Sequence, residues 1–281
     1  MTTVQTPTAV QTPTTSRHQP VEIAPETFVL QAAHGEGVAP QVVHMNSMLI
    51  RGAEPVVVDT GAPVHRDAYL EDLFSIVDPS DVRWVFISHE DLDHVGNAEA
   101  VMAACPNATL IASWFLCERL AVAGLDVPPW RWRWIGDGEA FDAGDRTLLA
   151  LRPPLYDEPT TRGLLDTSTG AYWAADCFAA PVARPTRWAS ELDADEWAGG
   201  FMTFQQWNSP WSTLLDRQLY AAEVDRFASH GIRTIAGCHG PSIDQGQVPF
   251  ALDLLRQVPD AATPPQPGQP LLDEIVASMR G

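Results

Sequence analysis

Basic residues are scarce in this chain. Only 17 Lys and Arg stand against 36 Asp and Glu in 281 residues, giving a formal net charge of −19 and a pI near 4.6. Nucleic acid and anionic membranes repel such a surface, so neither is expected as a partner. Long apolar runs are missing as well: none reaches the roughly 18–20 residues of a membrane span. The N-terminus has neither the basic start nor the apolar stretch of a signal peptide. The four cysteines, Cys105, Cys117, Cys177 and Cys238, lie far apart with no CxxC pair, which excludes a disulfide framework and a zinc ribbon. The expectation is a cytoplasmic, reduced protein. What the chain does contain is 45% hydrophobic residues, enough for a substantial core.

Residues 1–19 form a Thr/Gln/Pro tail in which Val4-Gln5-Thr6-Pro7-Thr8 recurs as Val10-Gln11-Thr12-Pro13-Thr14. With little apolar bulk to offset its ordering entropy, it is expected to be disordered. Residues 259–270 read as a Pro-rich linker leading to a short amphipathic segment, Leu271–Met279, within a C-terminal region spanning 259–281. Between them, residues 20–258 show strands and helices recurring in two halves, broken by Gly and Pro. That pattern predicts one α/β domain of two sheets packed between helical layers. Trp211–Ser229 is expected to be one long helix. The alternation Trp130-Arg131-Trp132-Arg133-Trp134 predicts a strand that packs its indoles inward, or else a basic, aromatic patch at a pocket rim.

One segment dominates the chemistry. His89-Glu90-Asp91-Leu92-Asp93-His94 follows the apolar run Trp84–Ser88 and puts two imidazoles and several carboxylates into six residues. A loop leaving a buried strand with such donors is suited to one or two metal ions. Further strand ends carry candidate donors: Asp59 after Val56-Val57-Val58, Asp176 after Tyr172-Trp173-Ala174-Ala175, and His239 after Thr234–Cys238. A packed sheet fixes the position of such residues.

These residues resemble the metallo-β-lactamase superfamily, and more narrowly the lactamase-like module of flavodiiron proteins and related oxygen-binding diiron proteins. The resemblance runs over most of residues 25–245. It includes Asn46-Ser47-Met48-Leu49-Ile50, Val58-Asp59-Thr60-Gly61, Val77-Asp78-Pro79, the 89–94 loop, Ala175-Asp176-Cys177-Phe178 and Cys238-His239-Gly240. The superfamily loop is His-x-His-x-Asp-His. The diiron branch has Glu at the second His, and Asp91 stands there in this chain. The diiron family also carries a further His before its bridging Asp. With 62 residues intervening after His94 and 18 before Asp176, that position is Asp157, and Tyr156 and Glu158 are rival donors if the loop is shifted by one.

The resemblance implies an αββα sandwich and a dinuclear centre. One metal takes His89, Asp91, Asp157 and a shared Asp176; the other takes Asp93, His94, the shared Asp176 and His239. Asp59 is expected to orient a ligand histidine. Oxygen-rich, thiolate-free donors suit two iron ions, with manganese or zinc as alternatives and an empty first position as another. Strand alternation is expected to point Cys177 and Cys238 away from the metals. Aromatic residues Trp197, Phe201, Phe204, Trp207 and Trp211 are expected to cap the site. The implied function is binding or reduction of a diatomic, O2 or NO. The 281 residues hold no flavodoxin module, so electrons are expected from a separate flavoprotein or rubredoxin-like donor. A homodimer is expected by analogy. A metal-dependent hydrolase of the same superfamily and a non-catalytic metal- or oxygen-binding module are the competing readings.

Overall fold

The computed structural model describes residues 15–36, 39 and 41–280. A seven-stranded sheet runs in the order Trp132–Trp134, Thr109–Ala112, Trp84–Phe86, Val56–Val58, Ser47–Ile50, Thr27–Leu30, Val21–Ala24. Its first four strands are parallel and the rest antiparallel. A five-stranded sheet runs Ala140–Asp142, Thr147–Leu151, Gly163–Asp166, Ala171–Trp173, Thr234–Ala236, with only its last pair parallel.

The period of two along each strand builds the layers. Met48, Ile50, Val56, Val58, Phe86 and Ile111 of the first sheet pack against Leu148, Ala150, Leu164, Trp173 and Ala236 of the second. Their neighbours face outward. Leu49, Val57, Val85 and Leu110 meet helices Arg66–Ile76, Ala98–Ala104 and Trp114–Val122. Leu151, Leu165, Tyr172 and Ile235 meet helices Ala194–Asn208, Arg217–Ala228 and Val248–Gln257. Strands buried on both faces read as continuous apolar runs for this reason. The result is the expected αββα sandwich. Among the described residues no helix is long and apolar enough to cross a membrane.

A buried ion pair ties the layers together. The Arg146 guanidinium donates to Asp166 at 2.6 Å and to the Pro25 carbonyl of the first sheet's edge at 3.0 Å. Asp166 is fully buried, and removing one partner leaves an uncompensated charge. Arg146→Met is therefore expected to lower folding stability by about 3–5 kcal/mol in chemical denaturation; a change below 1 kcal/mol contradicts this role.

Several sequence expectations need correction. The tail expected to be disordered through residue 19 is ordered from Thr15: Thr15–Arg17 pairs antiparallel with Ala32–His34, which pairs with Val43–His44. Arg17 fastens it by hydrogen bonds to Asp72 and Glu71. Residues 1–14 lie outside the described residues. The expected helix over Trp211–Ser229 is two pieces, a 3-10 turn Pro210–Leu214 and the helix Arg217–Ala228. Asp216 divides them, because its side chain accepts the Leu219 N–H and starts a new helix.

At Trp130–Trp134, Pro129 opens a 3-10 turn and only Trp132–Trp134 is strand. Trp130 and Trp134 are 84% and 58% exposed, so the indoles do not share a buried face. Nor is there a free basic patch: Arg131 donates to the carbonyls of Met102, Cys105 and Ala108, and Arg133 lies over the rings of Trp84 and Phe141. The C-terminal segment is helical over Gln269–Arg280. The Pro-rich stretch before it is held to helix Ala194–Asn208, where Trp207 Nε1 donates to Pro264 O at 2.9 Å.

Candidate metal centre

The carboxyl ends of two parallel strand pairs open at one place. Val58 and Phe86 are ladder partners in the first sheet, and Asp59 and the 89–94 loop follow them. Trp173 and Ala236 are partners in the second, and Asp176 and His239 follow them. Backbone bonds continue each ladder past the strand ends: Asp59 N–H donates to Phe86 O, and Cys238 N–H donates to Ala175 O, both at 2.9 Å. The chain then turns sharply. Asp59, Ala175 and Phe178 take positive φ values of 55°, 53° and 65°, an unfavourable backbone for residues other than glycine that clusters around functional sites.

Each histidine is oriented by its Nδ1. His94 Nδ1 lies 2.8 Å from Asp59 Oδ2, and His239 Nδ1 lies 2.8 Å from the His44 carbonyl. Neither acceptor can donate, so Nδ1 carries the proton in both rings. His89 Nδ1 lies 3.1 Å from Ser88 Oγ, whose own hydrogen goes to Asp59 Oδ2 at 2.7 Å. All three Nε2 atoms face carboxylates, and each offers a lone pair once a cation takes its place among them.

His89 Nε2 stands 3.8 Å from Asp91, 3.8 Å from Asp157 and 3.9 Å from Asp176 Oδ2. On the other side, Asp176 Oδ1 lies 2.8 Å from His94 Nε2 and 3.4 Å from His239 Nε2. Asp93 Oδ2 lies 3.0 Å from His239 Nε2 and 3.9 Å from His94 Nε2. The seven residues singled out in the sequence therefore converge, with Asp176 between two groups. Spacings of 3–4 Å between donors match the edges of a polyhedron around an ion with bonds of about 2.0–2.2 Å. His89 Nε2, His94 Nε2 and Asp176 Oδ1 are buried and have no hydrogen-bond partner; the His94–Asp176 approach lies off the direction a hydrogen bond needs. Buried polar atoms left unpaired in this way are costly, and cations satisfy them.

The charges interact strongly. Burial opposes ionisation of Asp93, but the hydrogen bond to His239 and the nearby His94 outweigh it and bring its pKa down to about 2. Asp176 is likewise penalised by burial, yet His239 and His94 hold it well below the usual carboxylate range. Asp91 goes the other way: burial first, then Asp157 and Asp176, push it up, despite the opposing pull of His89.

The other expected residues fall as follows. Asp59 is fully buried and accepts from Ser88 N, Ser88 Oγ and Trp173 Nε1 at 2.7 Å each, in addition to His94. Of the rivals to Asp157, Tyr156 packs at a tilt against Trp211 and Glu158 pairs with Arg119, so Asp157 is the one facing His89. Its other oxygen is held by Glu158 N–H at 2.9 Å. Of the expected aromatic cap, Phe204 lies against His239, with ring centroids 5.3 Å apart, while Trp197 and Phe201 belong to the helix–sheet core. Cys177 is in that core too. Cys238 packs in the core between the two sheets, as a small core residue should, yet its Sγ also lies 3.9 Å from Asp93 Oδ2. Alternation failed there because the strand ends at Ala236 and the following turn brings both Cys238 and His239 to the site. Ser88 and Asn46 were missed. Ser88 joins Asp59 to His89. Asn46 Nδ2 donates to Gly237 O and Gly240 O at 3.1 and 2.9 Å and pins the His239 turn. Ser88, directly before His89, was the one readable signal.

The metallo-beta-lactamase superfamily model matches residues 41–154. A Nostoc sp. protein carrying the name diflavin flavoprotein A 2 is 30% identical over 152 residues, covering 54% of this chain and 26% of that one. A nitric oxide reductase of Moorella thermoacetica is 24% identical over 203 residues, covering 69% and 48%. The crystal structure of the flavodiiron protein from Giardia intestinalis superposes with a TM-score of 0.70 at 18% identity, covering 87% of this chain and 60% of that one. The chain spans 26–33% of the length of the first three curated relatives it matches. Residues 41–154 thus match the metallo-β-lactamase superfamily, and the fold around them resembles that of flavodiiron proteins.

Proposed function

We propose that the chain is a non-haem diiron protein that binds or reduces a small diatomic, O2 or NO. The observation that carries this reading is the arrangement of three imidazoles, each fixed through Nδ1, whose Nε2 atoms face four carboxylates. His89, Asp91, Asp157 and Asp176 would hold one ion, and Asp93, His94, His239 and Asp176 the other. A donor set this rich in carboxylate oxygen favours iron or manganese over zinc. The name nitric oxide reductase, borne by the Moorella relative, agrees with a diatomic substrate.

Held by these residues, a reduced iron pair would supply electrons and a binding position for the diatomic. The rest falls to the side chains. Asp176 presents one oxygen to each histidine group and so sets their separation. Asp59 keeps the proton on His94 Nδ1 and the lone pair on Nε2. Phe204 gives the His239 side an apolar wall that excludes water and suits a neutral ligand. Electrons come from a separate flavoprotein or rubredoxin-like donor, the protein is a homodimer, and it works in the cytoplasm, where its cysteines stay reduced.

The test is anaerobic mixing. Protein from iron-supplemented expression, reduced and mixed with NO or O2, is expected to change its iron absorption and consume the gas while reductant lasts. A protein that holds only zinc and leaves both gases untouched contradicts the proposal.

A further inference from the structure

We propose that Cys238 is a thiolate donor at the second metal position, so that the two positions of the centre are chemically unlike. This rests on the metal-binding reading above and departs from the thiolate-free donor set that the sequence led us to expect. Asp93, His94, Cys238 and His239 each present one donor atom, and these atoms all lie within 4.8 Å of one another. The Cys238 sulfur is 3.9 Å from Asp93 Oδ2. Around an ion with bonds of about 2.3 Å to sulfur and 2.0 Å to oxygen, with Asp176 as a fifth donor and angles of about 90–110°, those two atoms stand about 3.0–3.5 Å apart. A small contraction therefore brings sulfur into coordination.

The placement is built. Cys238 is fully buried, its N–H donates to Ala175 O at 2.9 Å, and its carbonyl accepts from Asn46 N–H at 3.0 Å. The same turn carries His239, whose Nε2 faces Asp93. A second observation points to a cation there: His94 Nε2 and Asp176 Oδ1, both buried, lack partners. Coordination releases the thiol proton to solvent, leaving a thiolate on the ion.

The consequence is selectivity. His89, Asp91, Asp157 and Asp176 offer one nitrogen and three carboxylates, a hard set that suits manganese or iron. Adding sulfur to Asp93, His94 and His239 makes the second position softer, so zinc, cobalt and iron are preferred there. A centre of this kind discriminates between its two ions.

Cobalt(II) is the probe, because a thiolate on cobalt adds a near-ultraviolet charge-transfer band to the visible d–d bands. The full chain, stripped of metal and titrated with cobalt(II), is expected to show both. Cys238→Ser and Cys238→Ala are expected to keep the d–d bands and lose the charge-transfer band. Cys105 and Cys117 lie in the helix–sheet core of the first sheet and Cys177 in that of the second, so the wild-type band alone decides the matter if the variants fail to fold. Visible bands without the near-ultraviolet one in the wild type, or a band that survives in both variants, would overturn the thiolate ligand and leave the metal reading intact. A chain that takes up no cobalt overturns both.

Discussion

Replacing Asp176 with alanine is expected to lower bound metal from two ions per chain to fewer than one. The two oxygens of this carboxylate face different partners: Oδ2 lies 3.9 Å from His89 Nε2, and Oδ1 lies 2.8 Å from His94 Nε2 and 3.4 Å from His239 Nε2. No other carboxylate of the cluster approaches histidines of both groups this closely. Truncation removes a ligand from each ion and also the negative charge that balances them in a buried setting. Asp91→Ala, which touches only the His89 group, is expected to cost one ion at most. Elemental analysis of both variants beside the wild type reads the difference. Equal losses from the two substitutions, or an unchanged content in Asp176→Ala, contradict a shared ligand.

The second large effect is expected at Asp59, which touches no proposed ion. Its carboxylate gathers the Ser88 backbone and hydroxyl, the Trp173 indole and the His94 ring between the two sheets. Asp59→Asn preserves size and tolerates the positive φ at this position, but it puts an amide donor against groups that are themselves donors. Loss of such an orienting partner weakens metal affinity by about 10–100-fold. Asp59→Ala leaves several buried donors without any acceptor, each costing about 1–3 kcal/mol. A competition titration with a chelator and a denaturation curve separate the two effects. Wild-type metal affinity in a folded Asp59→Asn protein contradicts the orienting role.

Much of this centre was readable in the sequence because its donors occupy predictable ground. Two imidazoles and two of the carboxylates lie within the six residues from His89 to His94, and Asp59, Asp176 and His239 each follow an apolar strand. A strand end in a packed sheet is a fixed point, so a polar residue there has a defined direction. Reading failed where direction depends on a turn. Cys238 lies two residues past its strand, and alternation no longer governs it. Ser88 carried no mark beyond its place beside His89.

Two helices were missed for local reasons. Ala194–Asn208 contains Gly199-Gly200, which reads as a break; yet a Cβ at Gly200 would come within 2.3 Å of the Pro181 carbonyl, so the glycine is there for close packing. Val248–Gln257 has Pro249 in its first turn, where proline is a start signal rather than a stop. Strand Thr15–Arg17 was hidden because its order comes from distant partners, Ala32–His34 and Asp72, and not from its own composition.

Anomalous diffraction from crystals of the metal-loaded chain tests the central claim most directly. The account predicts two peaks, one ringed by His89, Asp91 and Asp157 and the other by Asp93, His94 and His239, with the Asp176 carboxylate between them. A single ion elsewhere, or Asp176 and His239 turned away from residues 89–94, contradicts it.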